Sequence, residues 1–374
     1  MTAPLRILHV VGALNRGGVE TWLMHVLRHI DRDRFRFDFL IHSDQPAAYD
    51  DEARALGARL IPCLRPAQPL AYGRNFRRIL RQHGPYDAVH SHVYLFSGLV
   101  LFLARLHNIP VRVGHIYPTE DRQTSNQRGL QRALYRGVMA KSIIYNSTHI
   151  LFDSVHAQEG FESLAGTNSS KFCVHYCGID LQPFLNCTAA NDLRQELDIP
   201  FGSKVVLHVG RFVPHKNHKH IIEIAQGVLK QRKDVVFLLV GVGPLHDEIR
   251  DAVSRRGLDS QFRFLPSYPD LAPIYHTADA FLFPSLMEGF GIVVVEAAAS
   301  GLPIIASRIP GIIDSATASP FPVLVEPQNT DGFVAAILDA VEQPKEKFVP
   351  QSDLLARFDI KTSVANLSDI YTNA

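Results

Sequence analysis

The sequence predicts an α/β chain of two domains, each built on a mainly parallel sheet, and three observations carry that expectation. At 374 residues the chain is longer than one hydrophobic core comfortably serves. Short apolar runs recur along its length, separated by stretches of helical periodicity, which is the pattern of successive βαβ units. Several of these runs end in glycine-bearing loops, and in parallel sheets ligands gather at the carboxyl ends of strands. With 46% hydrophobic and 20% charged residues, the composition is that of a soluble globular protein rather than a disordered or membrane-embedded one.

Charge and cysteine usage narrow the setting. Residues 1–185 hold 21 basic and 15 acidic side chains, whereas residues 186–374 hold 17 and 22. Such a difference is ordinarily a solvated face; the functional alternative is that the basic half meets an anionic acceptor or a membrane surface. No nucleic-acid partner is expected. The four cysteines (Cys63, Cys173, Cys177, Cys187) have neither metal-ligand nor disulfide-framework spacing. Met1–Arg6 leads straight into an apolar run without a signal peptide, and no uninterrupted apolar segment would span a bilayer. A reduced, cytoplasmic protein is expected, with peripheral contact at the inner face of the membrane as its membrane association.

In the first half, Leu5–Val11 is an apolar run closed by Gly12, which suits a buried parallel strand. Gly17 and Gly18 then open a segment in which Trp22, Leu23, Val26, Leu27 and Ile30 repeat at helical spacing. Strand, glycine loop and helix start together can hold an anion on backbone N–H groups. G-x-G-x-x-G is absent, so this is not the dinucleotide fingerprint, and a Gly-Gly pair also makes an ordinary turn. Asp31-Arg32-Asp33 has the letters of a metal-binding D-x-D but reads as a cap on the loop after the helix. Strands are expected at 37–41, 59–63, 88–90, 111–115, 142–145 and 171–176, with helices over 50–56 and 75–81. Two strand ends carry histidines, one with His90 and His92, the other with His115 followed by Tyr117. With 18 histidines in the chain, a structural role is the ordinary explanation of any one. Residues 127–140 are helical in pattern, with Arg128, Arg132 and Arg136 on one face. Solvent exposure is the default there, and a basic surface for a phosphorylated or lipid-linked acceptor is the alternative. Cys177–Phe184 reads as a strand end and connection, running on as a linker to about Thr188.

The second half opens with a strand from Lys204 that delivers Gly210, and then Arg211 and Lys216 in one loop. A guanidinium fork and an ammonium can offset the charge of a diphosphate, although such side chains in a loop are usually just solvated. Val235–Val240 is a buried strand ending in Gly241-Val242-Gly243-Pro244, and Phe262–Leu265 is another, followed by a turn at Ser267-Tyr268-Pro269. Ala280–Phe283 leads into Pro284–Gly301, the stretch around which the chain is organised. There Glu288 lies in a loop, Gly289, Phe290 and Gly291 follow, and Glu296 is placed about two turns into a helix starting near Phe290. Two carboxylates flanking a helix start suit a ligand with hydroxyls at both ends and phosphates between. Local propensity alone would make the β-branched run Ile292–Val295 a strand, and glutamates eight apart are common on ordinary helices. Strands at 302–306 and 322–325, a helix over 331–341 and a closing helix over 352–371 complete the expectation.

The ordered run P-S-x-x-E-G-F-G-x-x-x-x-E-A-x-A-x-G-x-P from Pro284 to Pro303 resembles the signature of family 4 glycosyltransferases, which have the GT-B fold. The G-G-x-E loop at Gly17, the G-R-x-x-x-x-K element from Gly210 to Lys216 and an N-G-[IV]-D-like hinge at Cys177–Asp180 extend the resemblance along almost the whole chain. It implies two Rossmann-like domains facing a central cleft: residues 1–186 for the acceptor, 187–354 for the nucleotide sugar, and a last helix at about 355–374 packing back on the first domain. It further implies a retaining transfer of a hexosyl group from a nucleoside-diphosphate sugar, UDP-linked in most such proteins and GDP-linked in others, to a hydroxyl acceptor, without a cofactor or metal. By the same resemblance Arg211 and Lys216 hold the diphosphate, Glu288 the sugar hydroxyls and Glu296 the ribose. Gly289, Phe290 and Gly291 support sugar or phosphate through their N–H groups, Gly17 and Gly18 lie on the phosphate side, and Gly210, Gly243, Pro244 and Tyr268 flank the nucleotide. His115 borders the reacting face. His90, His92, Tyr117, Arg128 and Arg132 are the acceptor-side candidates, in the segment where the resemblance is weakest. A sugar-nucleotide epimerase of the same fold and a catalytically silent binding subunit are the competing readings.

Overall fold

The computed structural model describes residues 3–64, 66–117, 129–186, 190–266, 270–343 and 348–373. Arg128, Cys187 and Tyr268 lie outside the described residues, and so do the expectations placed on them. The chain forms two compact units, Met1–Ile179 with Asp359–Ala374, and Asp180–Phe358.

The first unit runs β1 (Leu5–Val11), α1 (Gly18–His29), β2 (Phe35–Ile41), α2 (Asp50–Ala55), β3 (Arg59–Pro62), α3 (Pro69–His83), β4 (Ala88–Ser91), α4 (Ser97–Leu106), β5 (Val111–Ile116), α5 (Gly129–Asn146), β6 (His149–Phe152), α6 (Val155–Ala165) and β7 (Phe172–Val174). Its seven strands are ordered β3-β2-β1-β4-β5-β6-β7 and all pairs are parallel. Both faces are covered, which is why the strands read as near-continuous apolar runs. On one face Trp22, Leu23, Val26 and Leu27 of α1 pack with Ile7, Phe37 and Phe39 of the sheet. On the other, Tyr72, Phe76 and Ile79 of α3 and Val100 and Ala104 of α4 pack with Leu8, Val10 and Val89.

The second unit runs α7 (Gln182–Leu185), α8 (Ala190–Glu196), β8 (Lys204–Val209), α9 (His218–Gln231), β9 (Val235–Val240), α10 (His246–Ser254), β10 (Phe262–Leu265), α11 (Ala272–Thr277), β11 (Ala280–Phe283), α12 (Ile292–Ala299), β12 (Ile304–Ser307), α13 (Pro310–Ala316), β13 (Val323–Val325), α14 (Thr330–Glu342) and α15 (Ser352–Leu355). Its parallel sheet is ordered β10-β9-β8-β11-β12-β13. Leu282 points into the core shared with α9 and α14, while its neighbour Phe281 faces Tyr275 of α11, as the two-residue period of a strand requires. In both sheets the order reverses beside the first strand, at β1/β4 and at β8/β11. Loops that leave those neighbours diverge, and the crevice between them is where such sheets hold ligands.

The last helix, α16 (Ile360–Thr372), belongs to the first unit and packs on α1. The buried indole of Trp22 donates to Ser363 Oγ at 3.1 Å, and Ile179 pairs with Asp359 in an isolated parallel bridge.

Four local expectations are corrected. Residues 142–145 are not a strand but the end of α5, and the strand is β6 at 149–152. Ala140 and Ile143 continue the buried face of that helix and Ser142 Oγ donates to Gly98 O at 2.8 Å, so packing overrides the β-branched Ile143-Ile144 pair. The third helix starts at Pro69 rather than 75, with proline in its first turn. The organising helix starts at Ile292, because Gly291 is left-handed (φ 74°) and cannot extend the helix backwards. Glu296 is therefore its fifth residue, little more than one turn in. Finally, the closing helix is broken: Asp359 is extended and its carboxylate caps α16 by accepting from Lys361 N at 2.8 Å.

Gly178 is fixed by this arrangement, since a β-carbon there would lie 2.7 Å from Asp359 O and 2.8 Å from Ile360 Cα. Both are backbone atoms with little freedom to yield. Gly178→Ala should destabilise the protein by about 1–3 kcal/mol in denaturant unfolding; an unchanged midpoint would show that the 178–360 contact is loose.

Candidate active site

The loops after β8 and β11 leave adjacent strands at the switch point of the second sheet, and the chain cross-links them at three levels. Leu286 N–H donates to His215 O at 2.7 Å, and Asn217 Nδ2 donates to Pro284 O at 3.1 Å. Above these backbone ties, Lys216 Nζ lies 2.5 Å from Glu288 Oε1 and 4.6 Å from the centre of the Phe283 ring. The two charged side chains are only 15% and 10% exposed, so this pair sits largely out of water, where charge interactions are strong. Arg211, on the same loop as Lys216, is exposed; its carbonyl accepts from Val213 N–H at 2.8 Å, and its side chain makes no hydrogen bond or ion pair with another described residue.

The Arg211 loop is held from beneath. Phe212 is fully buried and stacks on the His218 ring at 4.1 Å. Its N–H donates to Val242 O at 3.0 Å, and its carbonyl accepts from Leu245 N–H at 3.0 Å. This explains the glycines of the Gly241–Gly243 turn: at Gly241 (φ 147°) a β-carbon would stand 2.1 Å from Gly210 O, and at Gly243 2.5 Å from Phe212 O. Pro244 is exposed at the end of that turn. Burial holds His218 at a pKa of about 4, with the charges of Lys216, His215 and His246 adding to the effect, so it serves as a neutral aromatic plate.

The Glu288 loop is supported by α13. A β-carbon on Gly311 would meet Glu288 O at 2.2 Å and Gly289 O at 2.6 Å, so that helix packs backbone to backbone under the loop. Phe290 turns into the core against Phe358, 5.7 Å between ring centres. One helical turn beyond Gly291, Glu296 Oε2 accepts a hydrogen bond from the Tyr275 hydroxyl at 2.7 Å. Desolvation of the carboxyl pushes the Glu296 pKa up to about 7, opposed in part by that hydrogen bond. Tyr275, His218 and Gly311 were not singled out in the sequence. A glycine just after a helix-starting proline is the one signal there that pointed to close approach.

In the first unit, Gly17 is the N-cap of α1 and Gly18 its first residue. A β-carbon on Gly17 would stand 2.4 Å from Glu20 Oε2, so the glutamate of the G-G-x-E loop folds back against the glycine. Asp31 Oδ1 accepts from the N–H groups of Asp33 and Arg34, closing the turn that was expected to be a cap. His115, His90, His92 and Tyr117 do come together, with His9, His175, Trp22 and Tyr371, in one buried aromatic cluster. His115 stacks on Tyr117 at 4.4 Å and meets Trp22 edge-on at 5.0 Å; neither of its ring nitrogens has a hydrogen-bond partner among the described residues. His92 is bonded through one nitrogen to His9 Nδ1 and through the other to the Tyr117 hydroxyl, both at 3.0 Å, while His90 Nδ1 is bonded to the Tyr371 hydroxyl at 2.7 Å. Burial depresses the basicity of every one of these rings, His9 to about 3 and His175 to about 4. His90 and His115 have no exposed surface. Arg132, on α5, lines a pocket shared with Arg136, Gly160 and Ser163.

Comparison with known proteins accounts for both units. Residues 17–178 match a family profile described as a glycosyl transferase 4-like domain, and residues 190–351 one described as glycosyl transferases group 1. The chain is 32% identical to the putative glycosyltransferase EpsF of Bacillus subtilis over 98% of its own length and 96% of the relative's. It belongs to the group 1, family 4-like glycosyltransferases, and is an enzyme of that class. It is also 24% identical to a D-inositol 3-phosphate glycosyltransferase of Corynebacterium urealyticum, over 97% of this chain and 92% of that one. Among solved structures, Anabaena HepE in complex with UDP superposes with a TM-score of 0.80 at 18% identity, covering 99% of this chain and all (100%) of the other. A glycosyltransferase of Rickettsia africae gives 0.80 at 18% identity over 100% and 99%. The fold is GT-B.

The state of Glu296 has a measurable consequence. Its folded pKa lies above the unfolded value, so the folded chain keeps a proton that the unfolded chain releases. The stability this provides is complete below about pH 4.5 and is lost as pH rises through about 7. Glu296→Gln, which can still accept from Tyr275, should gain on the wild type by on the order of 2 kcal/mol between pH 5 and pH 8 in urea unfolding. Parallel pH profiles for the two proteins would contradict the assignment.

Proposed function

We propose that the chain transfers a hexosyl group from a nucleoside-diphosphate sugar to a hydroxyl of an acceptor, with retention of configuration. A UDP-sugar is the first choice of donor and a GDP-sugar the second. The observation that carries this reading is the largely buried Lys216–Glu288 pair beside Arg211 at the β8/β11 switch point. Together these groups offer positive charge to a diphosphate and a carboxylate to sugar hydroxyls. That Anabaena HepE has been solved with UDP and with UDP-glucose supports the choice of nucleotide.

On this reading the second unit binds the donor and the first unit the acceptor. Arg211 and Lys216 take up the charge that accumulates on the diphosphate as the bond from the anomeric carbon to the phosphate oxygen breaks, so that no metal is required for that step. Glu288 orients the sugar by accepting from its hydroxyls, with the N–H groups of Gly289, Phe290 and Gly291 supporting sugar or phosphate. Glu296 accepts from the ribose hydroxyls. Gly17 and Gly18 border the phosphates, and Gly210, Gly243 and Pro244 the nucleotide. The acceptor hydroxyl attacks the face that the diphosphate leaves, and its proton passes to the departing phosphate oxygen, which balances the exchange without a protein nucleophile. His115 supports the reacting face from behind as a neutral, fully buried ring, with His90, His92, Tyr117 and Arg132 as the acceptor-side candidates. Acceptors of this chemistry are glycans, lipid-linked intermediates and hydroxylated metabolites. The reading places the enzyme in the cytoplasm, with the basic first unit in contact with the membrane.

Arg211 is exposed and its side chain is unpaired among the described residues, so it can be changed with little effect on folding. Removing Glu288, by contrast, leaves the largely buried Lys216 ammonium without its partner and should cost stability. Arg211→Ala should lower kcat/KM for a UDP-sugar by about 10²-fold or more. Glu288→Ala should abolish transfer while the protein remains folded at the assay temperature, and Arg211→Ala should unfold at the wild-type temperature. Turnover across a panel of UDP-, GDP- and ADP-sugars is the measurement. Wild-type rates in either variant, a new epimer in place of transfer, or binding without turnover would each overturn the proposal.

A further inference from the structure

The first unit is two-faced. Every large apolar side chain that it exposes among its described residues lies on α3, α4, α5 or the first residue of α6, the helices of one side of the sheet; α1, α2 and α16, on the other side, expose none. The centre of this surface is a stripe along α5. Leu134, Val138 and Tyr145 are 68%, 50% and 69% exposed, and with the exposed Lys141 they recur at intervals of four, three and four residues, which puts them on one face. That face points away from the core, because Ala140 and Ile143, both 0% exposed, hold the opposite one. The neighbouring α4 adds Phe102 and Leu106, one turn apart. The stripes are joined by Arg105, whose guanidinium lies 4.2 Å from the centre of the Tyr145 ring and donates to Tyr145 O at 3.1 Å.

The charge on α3, α4 and α5 is of one sign. Helices α3, α4 and α5 together carry eight basic side chains. Neither α3, α4 nor α5 contains an acidic residue. Apolar tips and tyrosines set among cations, on three helices that carry no acidic residue, match the interface of a bilayer bearing acidic headgroups. Self-association through the same patch would bring like charges together, and a patch spread over three helices needs no shape-matched partner when the partner is fluid.

We infer that the α3–α4–α5 face of the first unit is a docking surface for an anionic phospholipid bilayer, with Leu134, Val138, Tyr145, Phe102 and Leu106 entering the interface and the flanking Arg and Lys side chains meeting headgroup phosphates. This narrows the membrane contact proposed above to one face and one lipid class. It also relocates it: the carrier is the outward stripe of α5, whereas Arg132 and Arg136 line the pocket beside α6.

The test is flotation of the full chain with phosphatidylglycerol–phosphatidylcholine vesicles against pure phosphatidylcholine, at low and high salt. Two variants accompany the wild type: Leu134→Ser/Val138→Ser/Tyr145→Ser, and Arg105→Glu/Lys141→Glu. The wild type should float with the anionic vesicles, less so at high salt, and each variant should lose at least about tenfold in partitioning. Circular dichroism and UDP-sugar binding should not change in either variant, which separates failure of this inference from failure of the donor assignment. Equal binding to both vesicle types, wild-type partitioning of both variants, or a wild-type dimer that the serine variant dissolves would overturn it.

Discussion

The Lys216–Glu288 contact depends on nearly everything beneath it. An ammonium and a carboxylate held 2.5 Å apart with little exposure require two loops from adjacent strands to be locked in register. The parallel order β9-β8-β11-β12 puts both loops at the same end of the sheet, and the backbone tie from Leu286 to His215 fixes their separation. Glycines at 241 and 311 then let neighbouring backbones approach where any side chain would collide. What the second unit builds is a short, crowded rim that keeps charge of both signs largely out of water, where charge interactions are strong.

The first unit solves a different problem. Its strand ends carry imidazoles and phenols in place of charges, and several of these bond one another: His92 bridges His9 and Tyr117, and His90 is tied to Tyr371 of the last helix, while His115 has no hydrogen-bond partner among the described residues. Burial keeps the rings neutral, so the cluster behaves as a polar aromatic core rather than a set of cations. Below about pH 6.5 the unfolded chain takes up protons that these rings refuse, so their burial lowers the stability of this unit as pH falls.

Much of this was legible in the sequence because parallel strands buried on both faces write themselves as apolar runs. Leu5–Val11, Val235–Val240 and Ala280–Phe283 were placed to the residue. The loop motifs were legible because loop residues answer to ligand and backbone geometry rather than to packing. What could not be read was partnership across distance. Nothing local marks Tyr275 as the donor to Glu296, or His9 as the neighbour of His92, since each is an ordinary aromatic in its own segment. The end of α5 was misread for the converse reason: Ile143-Ile144 follows strand propensity, and only the helix packed against it decides otherwise. The exposed stripe on the same helix was hidden too, because Leu134, Val138 and Tyr145 have the spacing of a core-facing set, and burial alone shows that they face outward.

The central claim is that the Lys216–Glu288 pair faces the diphosphate sugar, and calorimetric titration of a UDP-sugar into a double-mutant cycle tests it most directly. Lys216→Met leaves a carboxylate against the phosphates and should weaken binding severely. Adding Glu288→Gln removes that repulsion, so the double variant should bind more tightly than Lys216→Met alone, with a coupling of about 1–3 kcal/mol. Losses that simply add, or affinities equal to the wild type throughout, would contradict the account.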